Sequence, residues 1–165
     1  MTFMNPGSRM LGRKGRRGRG DTTLVAVNLY GSTQTVTIPA GATKALATIL
    51  SAAQGGAFLG ACGASTPGTN GIIGVKTITG LIPGETLTVT IGAGGTVGTT
   101  LAAGGNGGTT SIASGSCVIA TSSIAGAAPN TQTNIDYAVP YGFTPSLSPS
   151  GGAGQPGLVY IEWYS

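Results

Sequence analysis

Glycine or proline interrupts almost every window of twelve residues in this chain, so an α-helix of ordinary length has almost nowhere to grow. The one stretch that escapes is Ala42–Gln54, rich in alanine, and it reads equally as a threonine-containing strand. The 31 glycines and 9 prolines approach the roughly 25–30% at which composition alone suggests disorder. Yet 40% of residues are hydrophobic and only 7% charged, the reverse of a disordered chain. Together these point to a packed all-β domain with long glycine-rich loops.

Several short segments alternate with the two-residue period of a half-buried strand. The clearest is Thr86-Leu87-Thr88-Val89-Thr90-Ile91, with aliphatics on one face and threonines on the other. Thr35-Val36-Thr37-Ile38 repeats the pattern. Near the carboxyl end Val159, Ile161 and Trp163 alternate with Leu158, Tyr160, Glu162 and Tyr164, a strand with two substantial faces. Weaker strands are expected at Thr22–Tyr30, Thr43–Leu50, Ile72–Thr79 and Cys117–Thr121. Turn signals separate them: Pro39-Ala40-Gly41, Pro67-Gly68, Asn70-Gly71, Pro83-Gly84 and Pro156-Gly157. Many short strands with regular turns predict a β-sandwich or jelly-roll-like domain.

Within Gly92–Gly108, eight of 17 residues are glycine. Ordering such a backbone costs about 1–2 kcal/mol per residue, and glycine lies at the expensive end. Two courses are open: the segment stays mobile, or its amides bond to neighbouring extended glycine segments.

Charge divides the chain. Arg9, Arg13, Lys14, Arg16, Arg17 and Arg19 place six cations before Gly20 with no acid among them. From Asp21 onward, Lys44 and Lys76 oppose Asp21, Glu85, Asp136 and Glu162, leaving −2. The division predicts a Gly/Arg-rich arm over residues 1–21 and a glycine-rich β-domain over 22–165. Arginine forks match phosphate, and interspersed glycines let a backbone follow a polyanion, so one reading of the arm is nucleic-acid binding. The other is a solvated tail, or one that docks on an acidic neighbouring protein. No aromatic residue interleaves the arginines to stack on bases. The apolar run after the arm, Leu24–Val27, is too short for a signal peptide and reads as no export signal.

The composition argues against catalysis. With no histidine in the chain, Ser-His-Asp and Cys-His chemistry and histidine metal sites are excluded. The four acids are far apart in sequence, and neither Lys44 nor Lys76 sits in a Ser-x-x-Lys arrangement. Gly152, Gly154 and Gly157 form a G-x-G-x-x-G string, but it precedes a strand and contains Pro156, whereas a dinucleotide site opens a helix. No cofactor or metal is expected. Cys62 and Cys117 read as two buried free thiols, the alternative being a single bridge. No apolar run approaches a membrane span. Tyr137, Tyr141 and Phe143, in a proline-bounded stretch that reads as a loop, are candidates for receptor or glycan contact by stacking, or for packing onto the domain.

Four stretches resemble the glycine-rich domain found at the ends of bacteriophage tail fibres and related virion proteins. They are Val36–Lys44 with its Pro39-Ala40-Gly41 turn; Gly80–Gly95, containing Ile82-Pro83-Gly84-Glu85-Thr86-Leu87-Thr88-Val89; Gly104–Ile112; and Gly151–Trp163, containing Gly154-Gln155-Pro156-Gly157-Leu158-Val159-Tyr160-Ile161. They frame roughly residues 34–163 in family order. The resemblance implies a β-sandwich with glycine loops, commonly trimeric, serving host attachment at a virion surface after assembly in the host cytoplasm. Two features depart from the pattern. The glycine run after the first strand is diluted to Gln54-Gly55-Gly56-Ala57-Phe58-Leu59-Gly60, and a basic arm stands where a fibre shaft is expected. The reading is therefore a small spike or fibre tip whose partners are other virion proteins and a host receptor or glycan. The alternative is a minor capsid component whose arm meets packaged nucleic acid or the inner capsid surface.

Overall fold

The computed structural model describes residues 22–59, 64–66, 68–99, 104–115, 117–123, 131–140 and 152–165. The charged arm, Cys62, Tyr141 and Phe143 lie outside them. The described residues form twelve strands and no helix: β1 Leu24–Tyr30, β2 Gln34–Thr37, β3 Lys44–Leu50, β4 Ala57–Leu59, β5 Ala64–Thr66, β6 Ile72–Thr79, β7 Thr86–Thr90, β8 Thr110–Ser114, β9 Cys117–Ser123, β10 Thr131–Thr133, β11 Tyr137–Pro140 and β12 Leu158–Tyr164. One five-stranded antiparallel sheet runs β1-β12-β3-β6-β11, and a second runs β10-β9-β8-β7-β2. A small hairpin pairs β4 with β5.

The stretch that could have been helix is strand β3. Its alternation places Ala45, Ala47 and Ile49 inward and leaves Leu46, Thr48 and Leu50 on the outer face, between β12 and β6. Inward side chains of both sheets make one buried cluster: Ala45, Ile49, Ile78, Val159, Ile161 and Trp163 from the first, Val36, Leu87, Val89, Ile112 and Ala120 from the second. Trp163 is fully buried. Its partners in register are Ala26 on β1 and Ala45 on β3, and these small neighbours leave room for the indole. The indole Nε1 donates to Asn28 Oδ1 at 2.9 Å, which satisfies its polar atom inside the core.

Two hairpin-like turns follow the chemistry of their sequence. Ala42 N–H bonds the Pro39 carbonyl and Glu85 N–H bonds the Ile82 carbonyl. Gly41 and Gly84 take the positive φ (84° and 88°) that position three of a type II turn requires.

The glycines of four extended segments serve a different purpose. Residues 51–56 follow β3, 92–98 follow β7, 104–109 precede β8 and 152–157 precede β12, so all four segments gather at one end of the two sheets. Their hydrogen bonds recur every third residue. Ala53 and Gly56 donate to Gln155 and Gly152; Gly95 and Gly98 donate to Ala53 and Gly56; Gly154 and Gly157 donate to Gly95 and Gly92; Gly105 and Gly108 donate to Thr96 and Ala93. Between Ala53 and Gly56, Gln54 donates to Thr69 and Gly55 to Gly105, so successive residues point at three different neighbours. Three residues per turn is the period of a polyproline II helix, whose backbone has no internal hydrogen bonds and must find them outside. None of these glycines has positive φ. They are needed for space: a Cβ at Gly55, Gly94, Gly95, Gly104 or Gly154 would lie under 3.0 Å from a main-chain atom of an adjacent segment. Residues 92–98 and 104–108 thus take the hydrogen-bonded course.

Gly154→Ala should lower unfolding free energy by about 1–3 kcal/mol, the cost of overpacking. Gly31→Ala, where a Cβ meets only open space, should stay within about 0.5 kcal/mol of the parent. Denaturant unfolding of the two variants checks the difference.

Candidate functional site: the outer face of the first sheet

The face of the first sheet turned away from the core carries side chains in ordered rows. Register places Leu29, Tyr160, Thr48, Val75 and Tyr137 side by side across all five strands. At about 4.8 Å per strand the row spans roughly 19 Å. A second row holds Val27, Glu162, Leu46 and Thr77, and a third Leu24, Tyr164, Lys44 and Thr79. A hollow of about 250 Å³ opens on this face, lined by Thr22, Lys44, Leu46, Thr77 and Tyr164.

Tyr160, Glu162 and Tyr164 share this face because they alternate along β12. The Tyr160 hydroxyl donates to Glu162 Oε1 at 3.1 Å and the Tyr164 hydroxyl to Oε2 at 2.9 Å. One carboxylate thereby takes both phenols. The bond to Glu162 is the main cause that raises the Tyr164 pKa above its usual 10; for Tyr160 desolvation comes first and the bond second. A phenol that ionises loses this bond and gains a repulsion, so both hydroxyls stay protonated to higher pH than a free tyrosine. The arrangement presents aromatic rings and a hydrogen-bonded carboxylate among aliphatic and threonine side chains, a chemistry suited to stacking and shape-matched contact.

Tyr137 belongs to strand β11, not to a loop. Its edge pairing with Val75 continues to Pro140 opposite Ile72, and a proline is tolerated on an edge strand. It is 59% exposed. The structure therefore sets Tyr137 on the same face as Tyr160 and Tyr164. The latter two were not candidates from sequence, although the Tyr-x-Glu-x-Tyr spacing was a signal that all three share one face.

At the inner margin of the first sheet, Lys76 Nζ bonds Asp136 Oδ1 at 2.8 Å, and Thr77 N–H donates to Asp136 Oδ2 at 2.6 Å. These bonds, the lysine's first, hold the Asp136 carboxyl at about 2, below its usual 3.8. A cleft of about 410 Å³ runs nearby between the sheets, lined by Ile38, Lys76, Ile78, Glu85, Leu87 and Ile119. Among the described residues no three His, Cys, Asp or Glu side chains converge as metal ligands, and no helix is long and apolar enough to cross a membrane.

Compared with known proteins, the chain matches no family model and no curated protein sequence.

Two titrations test this geometry. Asp136 favours the folded state at every pH above its usual range, and that contribution is lost as pH falls from about 4 through about 2. Asp136→Asn should flatten stability against pH in that window, read by thermal unfolding across an acid series. Glu162→Gln should bring phenol ionisation back toward the ordinary tyrosine range, read by near-UV absorbance.

Proposed function

We propose that this chain is a non-enzymatic structural protein of a bacteriophage virion: a small spike or tail-fibre-tip module for host attachment, anchored to the particle by its basic arm. In this reading the body is a β-sandwich with glycine-rich loops, present in several copies beside other virion proteins. The observation that carries it is the period-three bundle of glycine segments at one end of the two sheets. A module built there from main chain packed on main chain has few side chains to lose and little to deform, as a surface exposed at a particle tip requires. The resemblance of Gly80–Gly95 and Gly151–Trp163 to the fibre-tip domain supports the same assignment. The face bearing Tyr137, Tyr160 and Tyr164 supplies aromatic rings for a host glycan or protein.

The test uses the full-length chain in particles of the phage that encodes it. Antibody against the protein should label the tail or a surface projection in electron micrographs, and absence from purified particles refutes the assignment. Replacing the six arm cations by glutamine should abolish incorporation while leaving cell binding intact. If the unmodified protein instead binds nucleic acid with a log–log salt slope of roughly −4 to −5, as six phosphate contacts require, the chain is a coat component facing the genome.

A further inference from the structure

We propose that the open edge of the first sheet, β1, docks a second copy of this chain, the two β1 strands pairing antiparallel about a twofold axis at Val27. This contact goes beyond the virion assignment and does not depend on it.

The only strand beside β1 among the described residues is β12. Ser165 N–H bonds the Thr23 carbonyl, so alternate residues of β12, Trp163, Ile161 and Val159, turn their peptide groups toward β1. Their partners Ala26, Asn28 and Tyr30 turn theirs back. Val27 and Leu29 are left with N–H and C=O directed outward along the free edge. Edge strands are ordinarily guarded by lysine, proline or extreme shortness. This one has seven residues without a charge or a proline, and its one guard is the bulge between Leu24 and Ala26. Four of the seven large exposed hydrophobic side chains among the described residues, Leu24, Val25, Val27 and Leu29, belong to it, with Leu29 63% exposed.

Charge and symmetry select the occupant. The chain's own arm would lay six cations along Val27 and Leu29, on a face whose one acid, Glu162, is already bonded to two phenols. A second β1 fits better. Centred on Val27, it sets Val27 against Val27 of the partner subunit and brings Leu29 beside the bulge at Val25 of the partner subunit, so apolar meets apolar and no like charges face each other. Antiparallel pairing also puts the two points at which the arms join β1 at opposite ends of a seven-residue strand, on the order of 20 Å apart. That exceeds two Debye lengths of about 8 Å at physiological salt. Parallel pairing would bring all twelve cations together. The twofold contact is closed and joins two five-stranded sheets into one of ten strands.

Sedimentation equilibrium of the full-length chain from micromolar to submillimolar concentration should give twice the 16.0 kDa monomer mass. Val27→Lys sets two lysines opposite each other and should weaken the dimer at least about tenfold. Val27→Thr, β-branched and uncharged, should keep it. Val27→Cys, on the axis, should form a disulfide-linked dimer under mild oxidation, which keeps the test decisive if Val27→Lys fails to fold. A monomer throughout the range, a trimer, a mass unchanged by Val27→Lys in a folded protein, or no disulfide-linked dimer of the Val27→Cys variant overturns the proposal.

Discussion

Main chain bonded directly to main chain between the two sheets is what this architecture rests on. Two sheets packed by side chains lie about 10 Å apart, too far for peptide groups to meet. At the glycine end that separation is removed. Segments continuing from β3 and into β12 belong to the first sheet, and those flanking β7 and β8 to the second. The bonds Gly95 to Ala53, Gly55 to Gly105 and Gly157 to Gly92 pass between them. Each bond is worth only about 0.5–1.5 kcal/mol net, and ordering each residue costs about as much or more. The bundle is sustained because regular strands hold the ends of its segments close together, so little further entropy is spent on closing them. Gln54 adds a side-chain staple, donating to the Gly104 carbonyl and accepting from both Thr69 N–H and Oγ1.

The other half of the structure obeys ordinary side-chain packing, and β12 organises it. As the second strand from the edge, it is paired on both sides, and each of its faces carries weight. Inward, Val159, Ile161 and Trp163 enter the shared core, with alanine on either side of the indole. Outward, Tyr160, Glu162 and Tyr164 make a hydrogen-bonded triplet that anchors the exposed face. The outer side carries Leu158 and two tyrosines around the single carboxylate of Glu162.

Strand content was legible where alternation was strong. Thr86–Thr90 and Gln34–Thr37 could be drawn from their two-residue period, and Leu158–Tyr164 from its two contrasting faces; Ile72–Thr79, with a weaker pattern, was expected less sharply. Lys44–Leu50 was ambiguous because alanine suits a helix in isolation and serves here as a small neighbour to Trp163, a role visible only once β12 lies beside it. The three-residue strands β4, β5 and β10 are too short to carry a period. Tyr137 could be picked out as an exposed aromatic, but its place on a strand in line with Tyr160 depends on register between segments more than twenty residues apart. The period-three glycine spacing at Gly92, Gly95 and Gly98 was in the sequence, yet glycine has no side chain to indicate which neighbour a turn of backbone will meet.

Residue content and local period were enough to establish that this chain is β-structured, that six of its eight cations precede Gly20, and that it has no histidine. Such properties need no partner segment to take effect. Which segments meet was settled only by packing in three dimensions. Packing threaded four glycine runs into one hydrogen-bonded bundle, brought Asn28 to the Trp163 indole across 135 positions, and left β1 at the sheet edge among the described residues. Pairing is a property of two segments at once, and no single stretch of residues encodes its partner.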